Sequence, residues 1–102
     1  MVTSDAVLTE YLAAFADRGE YWRNRAVDVV EKVLTNPRVK VVPYTHNSFL
    51  AALRFYRSRA DKEYSLVDCD SMNIMKSRGI TEVLTEDRHF RQEGFVLLLE
   101  PA

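Results

Sequence analysis

What this chain has little of is the first guide to it. Its 102 residues include one cysteine, Cys69, so neither a disulfide within the chain nor a cysteine-based zinc site can form, and a reducing, cytoplasmic setting is the expectation. Glycine and proline number three each, and no repeat, linker or low-complexity stretch is visible. The formal net charge is only -1, which excludes the bulk basic field of a strong non-specific nucleic-acid binder and leaves only local basic clusters for such contact. No apolar run is long enough to span a bilayer, and the N-terminus lacks the basic-then-apolar order of a signal peptide, so no membrane partner is expected.

What is present is an ordinary globular balance, 47% hydrophobic and 28% charged, on a length suited to one small domain over residues 1–102. A domain this short buries about two-thirds of the surface of its unfolded chain, so its stability margin is thin. Met1–Thr3 reads as a short apolar stub. Ser4-Asp5 opens a helix to about Arg18 with Gly19 as its stop, and Val7, Leu8, Tyr11, Leu12 and Phe15 share one helical face. A second helix from about Glu20 to Leu34 has Trp22, Ala26, Val27, Val30, Val33 and Leu34 as its apolar side, and Asn36-Pro37 ends it. Val39, Val41 and Val42 form a β-branched strand halted at Pro43. Thr45 caps a third helix to about Ser58, with Phe49, Leu50, Leu53 and Tyr56 inward. After the polar connector 59–63, Ser65 caps a fourth helix that ends at Gly79. Ile80–Leu84 is a strand, Asp87 starts a short helix that stops at Gly94, and Phe95–Leu99 is the last strand. Strands alternating with helices give an α/β fold with a mainly parallel sheet.

In such folds sites lie beyond the carboxyl ends of strands where helices begin, and three acids stand near such places, Asp68 reaching the same edge only if the helix from Thr45 crosses the sheet obliquely. Glu10 lies nearly two turns into the first helix. Asp68 is in the first turn of the fourth helix, and Asp87 closely follows a strand. Brought together, they would make a hard-oxygen cluster suited to Mg²⁺ or Mn²⁺, a centre able to activate water against a phosphodiester. Each acid also has a structural reading. Ser65 to Asp68 has the form of a capping box, Asp87 alone is a good N-cap, and Glu10 can be a solvated helix residue. Cys69 reads as a small core residue. His46 and His89 stand beside helix starts, where they can face solvent.

The order of these segments resembles one family. TSDAVLTEYL (Thr3–Leu12), SLVDC (Ser65–Cys69) and GITEVLTEDRHFRQEGF (Gly79–Phe95) are similar to the three acid-bearing segments of PIN-domain nucleases, in particular the toxins of bacterial VapBC-type toxin–antitoxin pairs. The resemblance covers nearly the whole chain. It implies an α/β/α sandwich, metal-dependent RNA cleavage, an antitoxin partner, and Glu10, Asp68 and Asp87 as both catalytic and metal-binding residues. Arg88 and Arg91 could then contact RNA phosphates, with Arg54, Arg57 and Arg59 further off, although the expected role of such residues is a solvated or paired surface. Tyr11, Tyr21, Trp22 and Tyr56 could stack on bases, but their helical spacing places them in the core.

Two departures from the family pattern shape the expectations. Family members open with an apolar strand ending in an Asp, followed by a helix, and nothing here corresponds. On the resemblance the chain is an N-terminally truncated member lacking the first strand and first helix, with weaker activity than a full-length relative. The loss would leave strand edges unpaired, which implies a homo-oligomer, by strand or element exchange. Asp70 and Asn73 stand where the family is apolar. Exposure of that face is expected, ahead of Asp70 acting as a substitute carboxylate, because Asp68 and Asp70 are two apart and do not share a helix face. The competing function is a catalytically inactive binding module that keeps an antitoxin- or partner-binding surface.

Overall fold

The computed structural model describes residues 1–83 and 88–97. Contacts divide the chain into two compact units, Met1–Thr45 and His46–Ala102. The first unit runs β1 (Val2–Ser4), α1 (Asp5–Ala14), α2 (Glu20–Thr35) and β2 (Lys40–Val42). The two strands pair in parallel, Val2 opposite Lys40 and Ser4 opposite Val42, with both helices in the crossover. Strand and helix meet without a loop: the extended Ser4 ends β1, and its hydroxyl accepts from the Val7 N–H at 3.1 Å, an N-cap.

α1 stops at Ala14, a turn earlier than its periodicity suggests. From Phe15 onward the backbone closes three-residue turns, and the freed Ala16 carbonyl accepts from Arg23 Nη1 at 2.8 Å. Gly19, at φ 90°, then turns the chain into α2. At the far end the Asn36 side chain accepts from the Arg38 N–H at 2.9 Å, bridging Pro37 as expected of a helix stop.

The apolar sides expected of α1 and α2 are only partly covered. Ala6, Ala26 and Val30 are buried, and Leu8, Tyr11, Leu12, Phe15 and Val33 are half-buried. Val7, Trp22, Val27 and Leu34 are exposed, as is Tyr21 at 65%. Thus of the aromatics placed in the core, Tyr21 and Trp22 are surface residues. They continue a row of rings in which Tyr11–Phe15, Phe15–Trp22 and Trp22–Tyr21 centroids lie 5.2, 6.3 and 5.2 Å apart. Periodicity identifies side chains that share a face, but a two-helix layer over two short strands has too few neighbours to cover a wide one.

The second unit runs α3 (His46–Ser58), α4 (Leu66–Ser77), β3 (Glu82–Val83), α5 (His89–Gln92) and β4 (Val96–Leu97). β3 and β4 pair in parallel, Glu82 opposite Val96. Leu84 and residues 98–99, expected to extend these strands, lie outside the described residues. The core joins Ala52, Tyr64, Cys69, Met72, Met75, Phe90 and Phe95, with Phe55, Leu66, Ile80 and Val83 against it. Leu53 and Tyr56, expected inward, are instead 46% and 51% exposed.

Both helices that precede strands here end in the same device. At Gly79, φ 67°, the Ile80 N–H reaches the Met75 carbonyl at 2.8 Å and the Gly79 N–H reaches Lys76; at Gly94, φ 89°, Phe95 reaches Phe90 at 3.0 Å and Gly94 reaches Arg91. These are Schellman motifs, and the residue after each glycine packs into the core beside its own helix.

Candidate functional site

The sequence puts a serine and an acid three apart before an apolar helix, and the structure makes of them a complete capping box. Ser65 Oγ accepts from the Asp68 N–H at 3.1 Å, and the Ser65 N–H donates to Asp68 Oδ2 at 3.0 Å. Tyr64, just before the cap, and Cys69, one residue past Asp68, occupy the positions of a hydrophobic staple and share the core cluster. The Asp68 backbone and carboxylate are each tied to Ser65, the carboxylate through one hydrogen bond, with its side chain still 16% exposed.

His89, from the first turn of α5, brings Nδ1 to 3.4 Å from Asp68 Oδ2. That is long for a hydrogen bond but close enough for electrostatic contact. The His89 ring meets the edge of Tyr64, centroids 5.6 Å apart, so it is half-buried between an acid and an aromatic rather than facing solvent. Tyr64 is 4% exposed, and its hydroxyl finds no hydrogen-bond partner among the described residues. Burial, then the nearby Glu93 carboxylate, pushes its phenol up. Glu93 is itself largely buried and pairs with the Arg59 guanidinium; the hydrogen bond and charge of Glu93 raise the Arg59 pKa. Cys69 is fully buried, and burial pushes its thiol up, which makes it a core residue and a poor nucleophile.

The other expected site residues fall as follows. Glu10 is an exposed residue of α1, in the first unit. Asp87 lies outside the described residues. Arg88 is exposed and forms the N-terminal boundary of α5, with no side-chain capping bond there, and Arg91 is exposed within α5. Within each unit, no three His, Cys, Asp or Glu side chains gather among the described residues. Asp70 departs from expectation: it is 2% exposed, not wet, and burial alone raises its carboxyl pKa.

Residue-level reasoning missed His89 and Tyr64 as neighbours of Asp68. The staple position of Tyr64 was a usable signal for it. His89 carries no local signal, because its approach to Asp68 spans 21 residues and depends on how α5 meets α4.

Asp68 suits a hard divalent cation. No hydrogen bond among the described residues engages its Oδ1, and Mg²⁺ commonly takes one or two protein carboxylates and fills its other positions with water and phosphate oxygens.

Comparison with known proteins sets this geometry in context. The sequence matches the PIN domain family over residues 1–96. The crystal structure of VapC20 from Mycobacterium tuberculosis, a sarcin–ricin-loop-cleaving toxin, is similar at a TM-score of 0.80 and 27% sequence identity, over 93% of this chain and 71% of that one. No curated protein sequence matches.

Proposed function

This chain belongs to the PIN domain family, with its α/β fold, and on that premise we propose that it is a metal-dependent endoribonuclease of the toxin type. One domain over residues 1–102 is part of the proposal, the family match running through both units. The observation that carries the reading is the Asp68 carboxylate: oriented by a capping box, approached by His89, and partly open to solvent.

Glu10, Asp68 and Asp87 are the proposed ligands for Mg²⁺ or Mn²⁺. When bound, such an ion supplies a water of lowered pKa and stabilises charge on a phosphodiester. The chain's own part is positional. Ser65 holds Asp68 in one orientation, His89 limits where its Oδ2 can move, and Arg88 and Arg91 offer charge to phosphates of the strand. An antitoxin protein is the proposed partner, the cytoplasm the proposed setting, and a homo-oligomer the proposed state. No helix among the described residues is long and apolar enough to cross a membrane.

A ribonuclease assay with Mn²⁺ and with Mg²⁺, run beside Asp68→Asn prepared identically, tests the proposal. Loss of one metal-orienting carboxylate is expected to lower cleavage by about 100-fold or more, by analogy with removal of a single electrostatic stabiliser. Equal activity in the two proteins would sink it. The second reading, a binding module without chemistry, draws on the exposed Tyr21, Trp22, Val29 and Leu34 of α2, residues of the kind that anchor protein interfaces. It requires partner binding that survives loss of all three acids.

A further inference from the structure

The outer face of α3 carries a feature that the proposed site does not use. Leu53, Arg54, Tyr56, Arg57 and Ala60 line a shallow groove there. At 100° per residue the order around the helix is Tyr56, then Leu53, then Arg57, then Arg54, and Ala60 follows in the turn after Ser58. An aromatic ring thus borders one side, two guanidinium groups border the other, and apolar carbon floors the space between.

The members are available. Leu53 and Tyr56 are about half exposed, and Arg54 and Arg57 are exposed. Among the described residues neither Arg54 nor Arg57 forms an ion pair, in contrast to Arg59, which is held by Glu93. On a chain of net charge -1, two unpaired cations one helical turn apart are a local attraction for anions that the bulk charge does not provide.

The helix that carries the groove also carries, on another face, a ring that leads toward the Asp68 end of the unit. Phe55, in the same turn of α3 as Tyr56, has its ring centroid 6.4 Å from that of Tyr64. Tyr64 meets His89 at 5.6 Å, and His89 approaches Asp68 at 3.4 Å. The last turns of α3 and the first turn of α4 therefore lie at one end.

We infer that this face of α3 is a subsite for single-stranded RNA, with a base stacked on Tyr56, sugar carbon against Leu53 and Ala60, and consecutive phosphates on Arg54 and Arg57. The assignment rests on the nuclease reading for its ligand. It follows from chemistry as well: a nucleotide strand offers a flat π-face on one side and anionic oxygens on the other, matching the two borders of the groove. A nuclease also needs grip on its strand away from the scissile bond.

Fluorescence anisotropy with a labelled single-stranded oligouridine, in EDTA so that nothing is cut, reads this directly. Arg54→Ala/Arg57→Ala is expected to weaken binding about tenfold and to reduce the slope of log affinity against log salt by about 1.4, since each phosphate contact on a single strand contributes roughly 0.7. Tyr56→Ala is expected to weaken it about five- to tenfold, while Tyr56→Phe, which keeps the ring, stays within about twofold of wild type. Circular dichroism of each variant should match wild type, because all these side chains are at the surface. RNA affinity and salt slope unchanged in the variants would overturn the subsite, even if cleavage remained sensitive to Asp68→Asn. Absence of RNA binding by the wild type, or a Tyr56→Phe as weak as Tyr56→Ala, would overturn it too. So would variants that lose binding of an acidic Leu/Glu amphipathic peptide but keep RNA, which would give the face to a protein partner. A wild type that binds RNA through these residues yet cuts none would leave the subsite standing and remove the nuclease reading.

Discussion

Asp70 is the residue whose surroundings fit its chemistry least. It is 2% exposed and has no hydrogen-bond or ion-pair partner among the described residues. A carboxyl whose pKa is raised by burial binds its proton more tightly in the folded chain than in the unfolded one. Its contribution is then fully present below the ordinary value of 3.8 and is lost as pH rises through the higher folded value. At neutral pH the fold carries part of the cost of a carboxylate taken from water without a protein partner, at most about 1–3 kcal/mol. Asp70→Leu is accordingly expected to raise stability by about that amount at pH 7 and by less near pH 4, measured by urea unfolding at both values. A variant less stable at pH 7 would show that the carboxylate has a partner there. Asp68 makes the contrast: local sequence gives its carboxylate a hydrogen bond from the Ser65 N–H, whereas the Asp70 carboxyl, two residues on and on a different helix face, has none among the described residues.

At the scale of elements, helix ends organise this molecule. Ser4 and Ser65 start helices with side-chain caps, and Gly79 and Gly94 end them in left-handed turns that lead into strands. A Cβ built at Gly79 would meet nothing within 4 Å, so Gly79→Ala should cost only the backbone strain of φ +67°, about 1–2 kcal/mol. A thermal or urea melt measures this, and a loss well above that range would mean that the turn cannot adapt at all. These ends were legible in the sequence because caps and Schellman stops are written in three to six consecutive residues. Strand lengths and the early stop of α1 were not, since they depend on which carbonyls find partners, such as the Arg23 donor to Ala16.

At the scale of the whole molecule, coverage is the open demand. The first unit leaves Tyr21, Trp22, Val27, Val29 and Leu34 at the surface, and among the described residues its two strands pair with each other alone. Exposed aromatic and aliphatic side chains in such number mark surfaces that other chains cover. The proposed homo-oligomer is expected to show as a mass of at least twice the monomer by light scattering, with Trp22→Glu shifting it toward monomer. A wild type that stays monomeric at high concentration would remove this proposal.

The sequence by itself determined the α/β alternation, the capping box at Asp68, the buried character of Cys69 and the membership that three acid-bearing segments announce. All of these are local: each depends on residues within a few positions of one another or on their order along the chain. Tertiary structure alone decided that His89 and Tyr64 stand against Asp68, that Asp70 is buried, and that Leu53, Tyr56 and Trp22 face outward. Those outcomes depend on which helix faces find neighbours, and a hydrophobic stripe announces a wish for burial without supplying the surface that grants it.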